Sequence, residues 1–87
     1  MEDFFECRFI NGCLFYYKNY ILHRDDGPAI DDADGNKIWY KNGLIHREDG
    51  PAVERIDGIK RWYYYGNLLN CDSQVGFEKL IKLKAFW

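Results

Sequence analysis

Histidine, arginine and acidic residues stand together at two places in this 87-residue chain, in the heptapeptides HRDDGPA at 23–29 and HREDGPA at 46–52. Imidazole and carboxylate groups in one short loop are the types used in general acid–base catalysis and in metal binding. Arginine beside carboxylates also suits ion pairing, either within the loop or with a partner. The two heptapeptides are therefore the first candidates for a functional site.

The heptapeptides lack the further groups that catalysis or a metal site requires. Ser73 is the one serine in the sequence, and no nucleophile motif or glycine-rich phosphate loop is present. His23 and His46 lie one repeat apart, without a close ligand spacing. The aspartates of 31–34 resemble a calcium loop in charge alone, since Ala33 occupies a needed position. We expect no enzymatic activity, no metal and no cofactor.

The heptapeptides belong to a longer repeat, because other landmarks recur at the offset of 23 residues that separates His23 from His46. A fixed period of this length is typical of proteins in which each copy buries its apolar face against its neighbours. The recurring features are an aromatic pair at 16–17, 39–40 and 62–63, and a glycine after Asn or Asp at 12, 35 and 58.

Each copy has the pattern of a β-hairpin followed by a connecting loop. A short strand leads to an Asn-Gly or Asp-Gly turn, whose two central residues tolerate positive φ, and a second strand then carries the aromatic pair. Adjacent strand residues point to opposite faces, so one aromatic residue of each pair should enter the core. A second turn follows at 41–43 and 65–66, and Tyr20 takes the place of its glycine in the first copy.

The third copy ends without a heptapeptide, because 69–75 keeps only Asp72 of the pattern. The apolar period then changes from two residues to about 3.6, with Asp72 or Ser73 as the N-cap of a helix. We expect this helix to close the exposed end of the repeats, with docking of a partner as the alternative. The residues of its apolar side are Phe77, Leu80, Ile81, Leu83 and Trp87.

The predicted fold class is mainly β, an antiparallel β-hairpin repeat stack of about three 23-residue copies closed by a C-terminal α-helix. The chain is expected to form a single domain over 1–87. Its parts are a head at 1–5, β-hairpin repeats at 6–72 and a capping helix at 73–87.

Cysteine usage and hydropathy predict a cytoplasmic protein. Cys7, Cys13 and Cys71 form no C-x-x-C pair, which indicates reduced thiols rather than a disulfide framework or a zinc knuckle. Cys7 aligns with Ile30 and Val53, so we expect it to be a small core residue. No apolar run approaches the roughly 18 residues that a membrane span needs, and we expect no membrane contact.

One interpretation of the heptapeptides is structural. The loop glycines, Gly27 and Gly50, would supply a backbone geometry that other residues resist. The aspartate before each glycine would accept backbone hydrogen bonds, and the arginine would reach a carboxylate through two parallel bonds. The histidine would pack on the aromatic layer with one ring nitrogen satisfied.

The alternative is a charged ridge presented to a partner, since arginine and aromatic residues are enriched at the energetic centres of interfaces. Tyr64 and Tyr65 join this set because the repeat does not require an aromatic residue at their positions. They also suit a stacking shelf for a sugar or a nucleobase, unless they belong to the core. The predicted partner-binding residues are Arg24, Asp25, Asp26, Asp31, Asp32, Asp34, Arg47, Glu48, Asp49, Tyr64 and Tyr65.

The charge distribution favours a basic protein partner. The formal net charge is −2, which gives no electrostatic footprint for direct nucleic-acid binding. Lys79, Lys82 and Lys84 crowd the C-terminal end, whereas the repeat body is acidic. A weakly acidic body suits a basic protein surface at least as well as the lysines suit a polyanion.

The pattern HRDDGPA-(x)4-DG-(x)3-WYKNG-(x)2-HREDGPA resembles the tandem HREDGPA-type hairpin repeats, distantly similar to MORN-type repeats, of small proteins from tailed bacteriophages and some large DNA viruses. The resemblance covers roughly residues 6 to 68 and excludes the helical tail. It implies the hairpin-repeat fold and a viral origin, and it carries no catalytic residues. It further implies a binder in the host cytoplasm, for example an inhibitor of a CRISPR or nuclease complex.

Two other functions compete with an inhibitor of a host protein or protein complex. A glycan- or nucleotide-binding module would use Tyr64 and Tyr65. A structural, self-assembling protein would form a homo-oligomer through an exposed sheet edge or through the helix at 77–87.

Overall fold

Short antiparallel strands and one helix make up the described part of the chain, which in this computed structural model is residues 2–83. The predicted end of the helix at 84–87, with Trp87, lies outside the described residues. The elements are β1 (Phe5–Ile10), β2 (Cys13–Lys18), β3 (Ile21–Leu22), β4 (Ile30–Asp31), β5 (Lys37–Ile38), β6 (Tyr40–Lys41), β7 (Leu44–Ile45), β8 (Val53–Glu54), β9 (Lys60–Tyr64), β10 (Asn67–Leu69) and α1 (Gln74–Leu83).

The strands form one main sheet in the order β1-β2-β4-β5-β8-β9-β10, with β3 paired to the end of β2. The strands β6 and β7 make a separate two-stranded ladder. All pairings in residues 2–83 are antiparallel. The prediction of a mainly β, antiparallel fold with a C-terminal helix is confirmed.

Two-residue turns with positive φ at both central residues connect several of the strands. Asn11 and Gly12 have φ of 51° and 80°, and Asn42 and Gly43 have 51° and 82°. This backbone twist matches the twist of the flanking strands, which is why Asn-Gly is favoured there. Tyr20 adopts φ of 66° at the place of the missing glycine, a conformation that bulky residues rarely take.

The two Asp-Gly turns differ from the predicted geometry. Gly35 and Gly58 have φ of 99° and 89°, but Asp34 and Asp57 are not among the residues with positive φ. Gly35 N–H donates to the carbonyl oxygen of Asp32 at 3.1 Å, which closes a turn over residues 32–35. The glycine with positive φ is thus the last residue of that turn. The expectation of positive φ at both central residues is therefore wrong for these two turns.

The alanine of each heptapeptide is hydrogen-bonded to an aromatic residue thirteen positions upstream. Tyr16 N–H donates to the Ala29 carbonyl at 2.8 Å, and Trp39 N–H donates to the Ala52 carbonyl at 2.8 Å. Ala29 and Ala52 are fully buried. A larger side chain at either alanine would separate the loop from its strand.

The second set of turns is linked by backbone hydrogen bonds between neighbouring hairpins. Gly43 N–H donates to the Leu22 carbonyl at 2.8 Å, and Gly66 N–H donates to the Ile45 carbonyl at 2.8 Å. A Cβ added to Gly43 would lie 2.8 Å from a methyl carbon of Ile21. Glycine is therefore required there for close approach as well as for its φ.

The largest apolar cluster lies at the C-terminal end, where Trp62, Leu69 and Phe77 are buried together. Ser73 is the N-cap of α1, because its Oγ accepts the N–H of Gly76 at 3.1 Å, as one of the two predicted caps. Of the predicted apolar face, Leu80 and Ile81 pack against this cluster. Leu83 is exposed, so its assignment to the buried face was wrong.

The molecule is thin, with principal extents of 37 × 36 × 16 Å. Side chains on the face of a sheet are buried where a second sheet packs about 10 Å away. No second large sheet covers this one within residues 2–83, so many of its side chains are exposed. Cys7 is exposed, which corrects its prediction as a core residue. No helix in the described range is long and apolar enough to cross a membrane.

Candidate functional site

The arginine of the first heptapeptide is folded back onto its own loop. Arg24 Nε donates to Asp26 Oδ1 at 3.0 Å, and Arg24 Nη1 donates to the Pro28 carbonyl at 3.2 Å. The guanidinium carbon lies 3.9 Å from the centre of the Tyr16 ring. The stacking and the two hydrogen bonds hold the guanidinium against its own loop.

The second heptapeptide repeats this arrangement and adds one contact. Arg47 Nε donates to Asp49 Oδ1 at 2.9 Å, and its guanidinium lies 3.9 Å from the Trp39 ring centre. Arg47 Nη1 also donates to Glu54 Oε2 at 2.8 Å. The hydrogen bond from Arg47 holds the pKa of Asp49 below its usual range. Neither arginine makes the predicted pair of parallel bonds to one carboxylate, because one of its donors goes to a proline carbonyl.

The loop glycines make room for these arginines. A Cβ added to Gly27 would lie 2.9 Å from Arg24 Cζ, and one added to Gly50 would lie 2.7 Å from Arg47 Cζ. Neither glycine is among those with positive φ, so the predicted need for an unusual backbone geometry was wrong. A side chain at either position would have to displace the stacked arginine, which occupies that space.

His23 is buried with both ring nitrogens hydrogen-bonded. Its Nδ1 accepts the backbone N–H of Asn42 at 2.8 Å, so this nitrogen carries no proton. Its Nε2 therefore carries the proton and donates to Asp25 Oδ1 at 2.9 Å. The ring joins the first heptapeptide to the next Asn-Gly turn.

His46 is buried in the same way but has one nitrogen unpaired. Its Nδ1 accepts the backbone N–H of Tyr65 at 2.9 Å, and its Nε2 is buried without a hydrogen-bond partner. Tyr65 stacks on the ring at 3.8 Å between centroids. Burial lowers the pKa of His46, an effect that the charge of Glu48 opposes and that of Lys41 reinforces.

The carboxylates of the two heptapeptides point outward. The side chains of Asp26 and Asp49 are 85% and 87% exposed. A cleft of about 110 Å³ between the loops is lined by residues of both, among them Asp25 and Glu48. We refer to these four residues, Asp25, Asp26, Glu48 and Asp49, as the acidic ridge. The structure thus brings Asp25 and Glu48 to one cleft, whose lining also includes Arg24, Lys41 and Arg47.

The aspartates predicted at 31–34 are held within their own hairpin. Asp31 Oδ1 accepts Lys37 Nζ at 3.2 Å. Asp32 accepts the side-chain and backbone N–H groups of Asn36, and the pKa of Asp32 is lowered chiefly by the side-chain bond. Asp34 is exposed. These hydrogen bonds give Asp31 and Asp32 a role in shaping the turn.

Tyr64 and Tyr65 enclose His46 instead of forming one flat surface. Their rings are inclined by 79° at 4.8 Å between centroids. Tyr64 meets the His46 ring at 4.9 Å and the Phe77 ring at 6.3 Å. Burial raises the pKa of Tyr64. A base or sugar stacked on Tyr65 would face one ring, because the other face of that ring lies against His46.

A larger groove, which the sequence reasoning missed, lies beside the first heptapeptide. It has a volume of about 540 Å³. The cleft between the two heptapeptides is smaller, and both loops contribute to its lining. The available signal was the first heptapeptide itself, since four of its residues line the groove. The lining residues are Phe5, Glu6, Cys7, Tyr16, Tyr17, His23, Arg24, Asp25 and Asp26.

The described residues do not bring together a set of metal ligands. No group of three or more His, Cys, Asp or Glu side chains in residues 2–83 is placed to hold a metal ion. His23 and His46 each use Nδ1 to accept a backbone N–H. The charged groups that the two heptapeptides expose most are carboxylates.

Comparison of the chain with protein-family models, with curated proteins and with solved structures finds no match. The geometry of the acidic ridge and of the sheet is accordingly the basis for a function.

Proposed function

We propose that this chain is a non-enzymatic protein-binding module whose acidic ridge recognises a basic surface of a partner. One observation carries the proposal: both arginines of the heptapeptides are folded inward, while the four carboxylates around them point to solvent. Each heptapeptide has one arginine against two carboxylates, so the outward charge is negative. Complementary charge of this kind steers association and selects partners.

The scaffold of the proposed module is a stack of three hairpin copies closed by α1. The supporting contacts recur one period apart, as in the pairs Tyr16–Ala29 and Trp39–Ala52. The same holds for the arginine stacked on an aromatic ring and for the histidine that accepts a backbone N–H. A stack of equal units places the two loops side by side, and that placement produces a continuous ridge.

The proposed setting is the cytoplasm of an infected bacterium, where the module inhibits a host defence complex such as a CRISPR or nuclease complex. The resemblance to phage hairpin repeats supports this setting, and the acidic ridge supports the mode of inhibition. A basic channel that binds nucleic acid offers the complementary surface, because it must neutralise many phosphates. The ridge would occupy that channel in place of nucleic acid.

Affinity capture of the tagged protein from bacterial lysate, at low and at high salt with mass spectrometry, tests the proposal. We expect a stoichiometric partner at low salt that is lost at high salt, because exposed charges are screened. The ridge variant Asp25→Asn with Glu48→Gln removes two charges and should weaken capture roughly tenfold, or about 1.4 kcal/mol.

The matched control removes two exposed charges elsewhere, through Glu2→Gln and Asp72→Asn. Capture by this control should equal that of the unmodified chain. Equal losses in the two variants would show that only net charge matters and would overturn the ridge as the contact surface. An empty capture by a folded protein at both salt concentrations would overturn the binding function itself.

A further inference from the structure

The strand β1 ends the main sheet and has no strand on its outer side among residues 2–83. It runs for six residues, Phe5–Ile10, without a proline, and its register with β2 is continuous. Proteins that avoid edge pairing usually shorten, bulge or cover such a strand. None of these devices is present in β1, so its edge is available to a further strand.

The register identifies which backbone groups face this edge. Ile10 and Cys13 flank a two-residue turn and form a hydrogen-bonded pair. Bonded and non-bonded pairs alternate along antiparallel strands, so the N–H and C=O groups of Phe5, Cys7 and Phe9 point away from β2.

Backbone bonds on both sides of Cys7 support this assignment. Tyr16 is opposite Cys7 in the register, and its N–H donates to Ala29 on the far side of β2. Asn19 N–H donates to the Phe4 carbonyl at 2.7 Å, as the alternation requires. The N–H and C=O of Cys7 are therefore directed to the open edge.

The side chains of β1 are exposed to an extent unusual for their types. Phe5 is 62% exposed and Phe9 is 72% exposed, and both lie on the face of the strand that also carries Cys7. Phe4 and Ile10 are exposed as well. An exposed apolar patch on a sheet edge marks an interaction surface.

We propose that β1 pairs antiparallel with β1 of a second copy, about a two-fold axis that passes beside Cys7. The segment Phe5-Glu6-Cys7-Arg8-Phe9 is complementary to itself in this direction. Phe5 of one protomer lies opposite Phe9 of its partner, Glu6 opposite Arg8, and Cys7 opposite Cys7. The outward-facing residues then meet one another and form about six backbone hydrogen bonds.

Registers centred one residue away from Cys7 are less favourable, both in the charges that they oppose and in the backbone groups that they pair. A shift of the centre to Glu6 places two glutamates opposite each other, and a shift to Arg8 places two arginines opposite each other. Each shift also leaves one outward-facing residue without a partner. Directly opposed like charges are destabilising across strands, whereas the register centred on Cys7 has opposite charges only.

The apolar residues at the ends of the strand also match in this register. Phe4 of one protomer lies opposite Ile10 of the other, on the face that carries the charges. Glu6 and Arg8 already form an ion pair within one chain, with Arg8 Nε at 3.1 Å from Glu6 Oε2. Pairing of two strands extends this contact into a row of alternating charges. The pairing thus gives each exposed apolar residue of β1 an apolar neighbour, which argues for a second copy as the occupant.

Charge reversal tests the register by sedimentation equilibrium. We expect the unmodified chain to be a dimer in solution. Glu6→Arg alone and Arg8→Glu alone should each dissociate roughly a hundredfold more readily, because like charges across an interface cost several kcal/mol. An equimolar mixture of the two single variants should form a heterodimer, since every charge of one then meets its opposite.

The double variant, Glu6→Arg with Arg8→Glu, should dimerise like the unmodified chain, and circular dichroism checks that every variant is folded. Dimers of both single variants, or a mixture that stays monomeric, would overturn the register. A monomeric unmodified chain would overturn the pairing itself. A short bis-maleimide should cross-link a Cys13→Ser, Cys71→Ser chain through Cys7, and the addition of Arg8→Glu should abolish this cross-link. Failure to cross-link would also count against a two-fold axis at Cys7.

Discussion

The two ends of the sheet are finished in different ways. At the C-terminal end, β10 is three residues long, and α1 covers Trp62 and Leu69 with the fully buried Phe77. At the N-terminal end, β1 is six residues long and leaves Phe5 and Phe9 in solvent. The sheet thus has one end packed against a helix and one open end. An uncovered edge strand presents unpaired backbone groups, so the open end is the one suited to interaction.

The difference follows from what precedes and follows the hairpins in the chain. After the third hairpin the sequence changes period, and a helix with one apolar face can pack on the sheet. At the other end, a groove of about 540 Å³ lies between β1, β2 and the first heptapeptide. The two ends of the sheet therefore differ because they have different neighbours in the chain.

Truncation of one aromatic residue at each end should show the largest contrast. Phe77→Ala is expected to lower the free energy of unfolding by about 3–5 kcal/mol, because it empties the centre of the core. Phe9→Ala should change it by less than about 0.5 kcal/mol, since that ring is exposed. Urea unfolding in the Arg8→Glu background excludes any contribution of self-association. Equal costs at the two positions would show that the ends are packed alike.

The glutamine at the start of α1 should have the next largest effect. Gln74 Oε1 accepts Trp62 Nε1 at 2.8 Å, and Gln74 Nε2 donates to the Glu48 carbonyl at 2.8 Å. Gln74→Ala leaves both partners unpaired and should cost about 1–2 kcal/mol in urea unfolding. Lys79→Ala, on the exposed side of the same helix, should stay within about 0.5 kcal/mol. A similar loss in both variants would show that the effect comes from helix propensity and not from the hydrogen bonds of Gln74.

The contribution of His46 to stability should depend on pH. The lowered pKa of His46 means that the unfolded chain binds its proton more readily than the folded chain. Its contribution to stability is complete above the unfolded-state pKa of about 6.5 and is lost as the pH falls through the lower folded-state pKa. Glu48→Asp gives the second loop the acidic residue that pairs with His23, and it should raise the pKa of His46.

Proton NMR titration of the His46 imidazole, with unfolding at several pH values, measures this effect. We expect the unmodified chain to lose stability on acidification, and Glu48→Asp to lose less. An unchanged His46 titration in that variant would mean that the shorter carboxylate does not reach Nε2.

The cysteines at the two ends should differ in reactivity, with no effect on stability. Burial raises the pKa of Cys71, and the charge of Asp72 adds to the shift. Cys7 is exposed. Because the thiolate is the reactive form, a disulfide reagent should modify Cys7 about tenfold faster or more than Cys71 in chains that keep one cysteine each. Comparable rates would show that the C-terminal end opens readily.

Local patterns allowed a large part of the fold to be predicted. The Asn-Gly turns, the cap at Ser73 and the buried face at Phe77 were predicted from short stretches of sequence, since their chemistry involves residues close along the chain. The exposure of Cys7 and Leu83 was not, because burial depends on which element lies opposite.

The candidate site was predicted in part for the same reason. The residues of the acidic ridge were chosen from the heptapeptides, and the structure brings the two loops to either side of one cleft. The arginines were expected at the surface of this site, but their side chains turn inward over Tyr16 and Trp39. The position of each arginine side chain depends on an aromatic ring eight residues upstream. The repeat period alone does not predict that the arginine and this ring are in contact.

The sequence by itself determined the unit: its turns, its strands, its two similar loops and the change of period before α1. Each of these follows from backbone preferences and from apolar spacing within a few residues. The tertiary structure alone decided whether residues of the same type have the same surroundings. His23 finds Asp25 whereas His46 Nε2 finds no partner, and Phe77 is buried whereas Phe9 is not. Solvation and hydrogen bonding depend on neighbours in space, and a repeated sequence has different neighbours at its two ends.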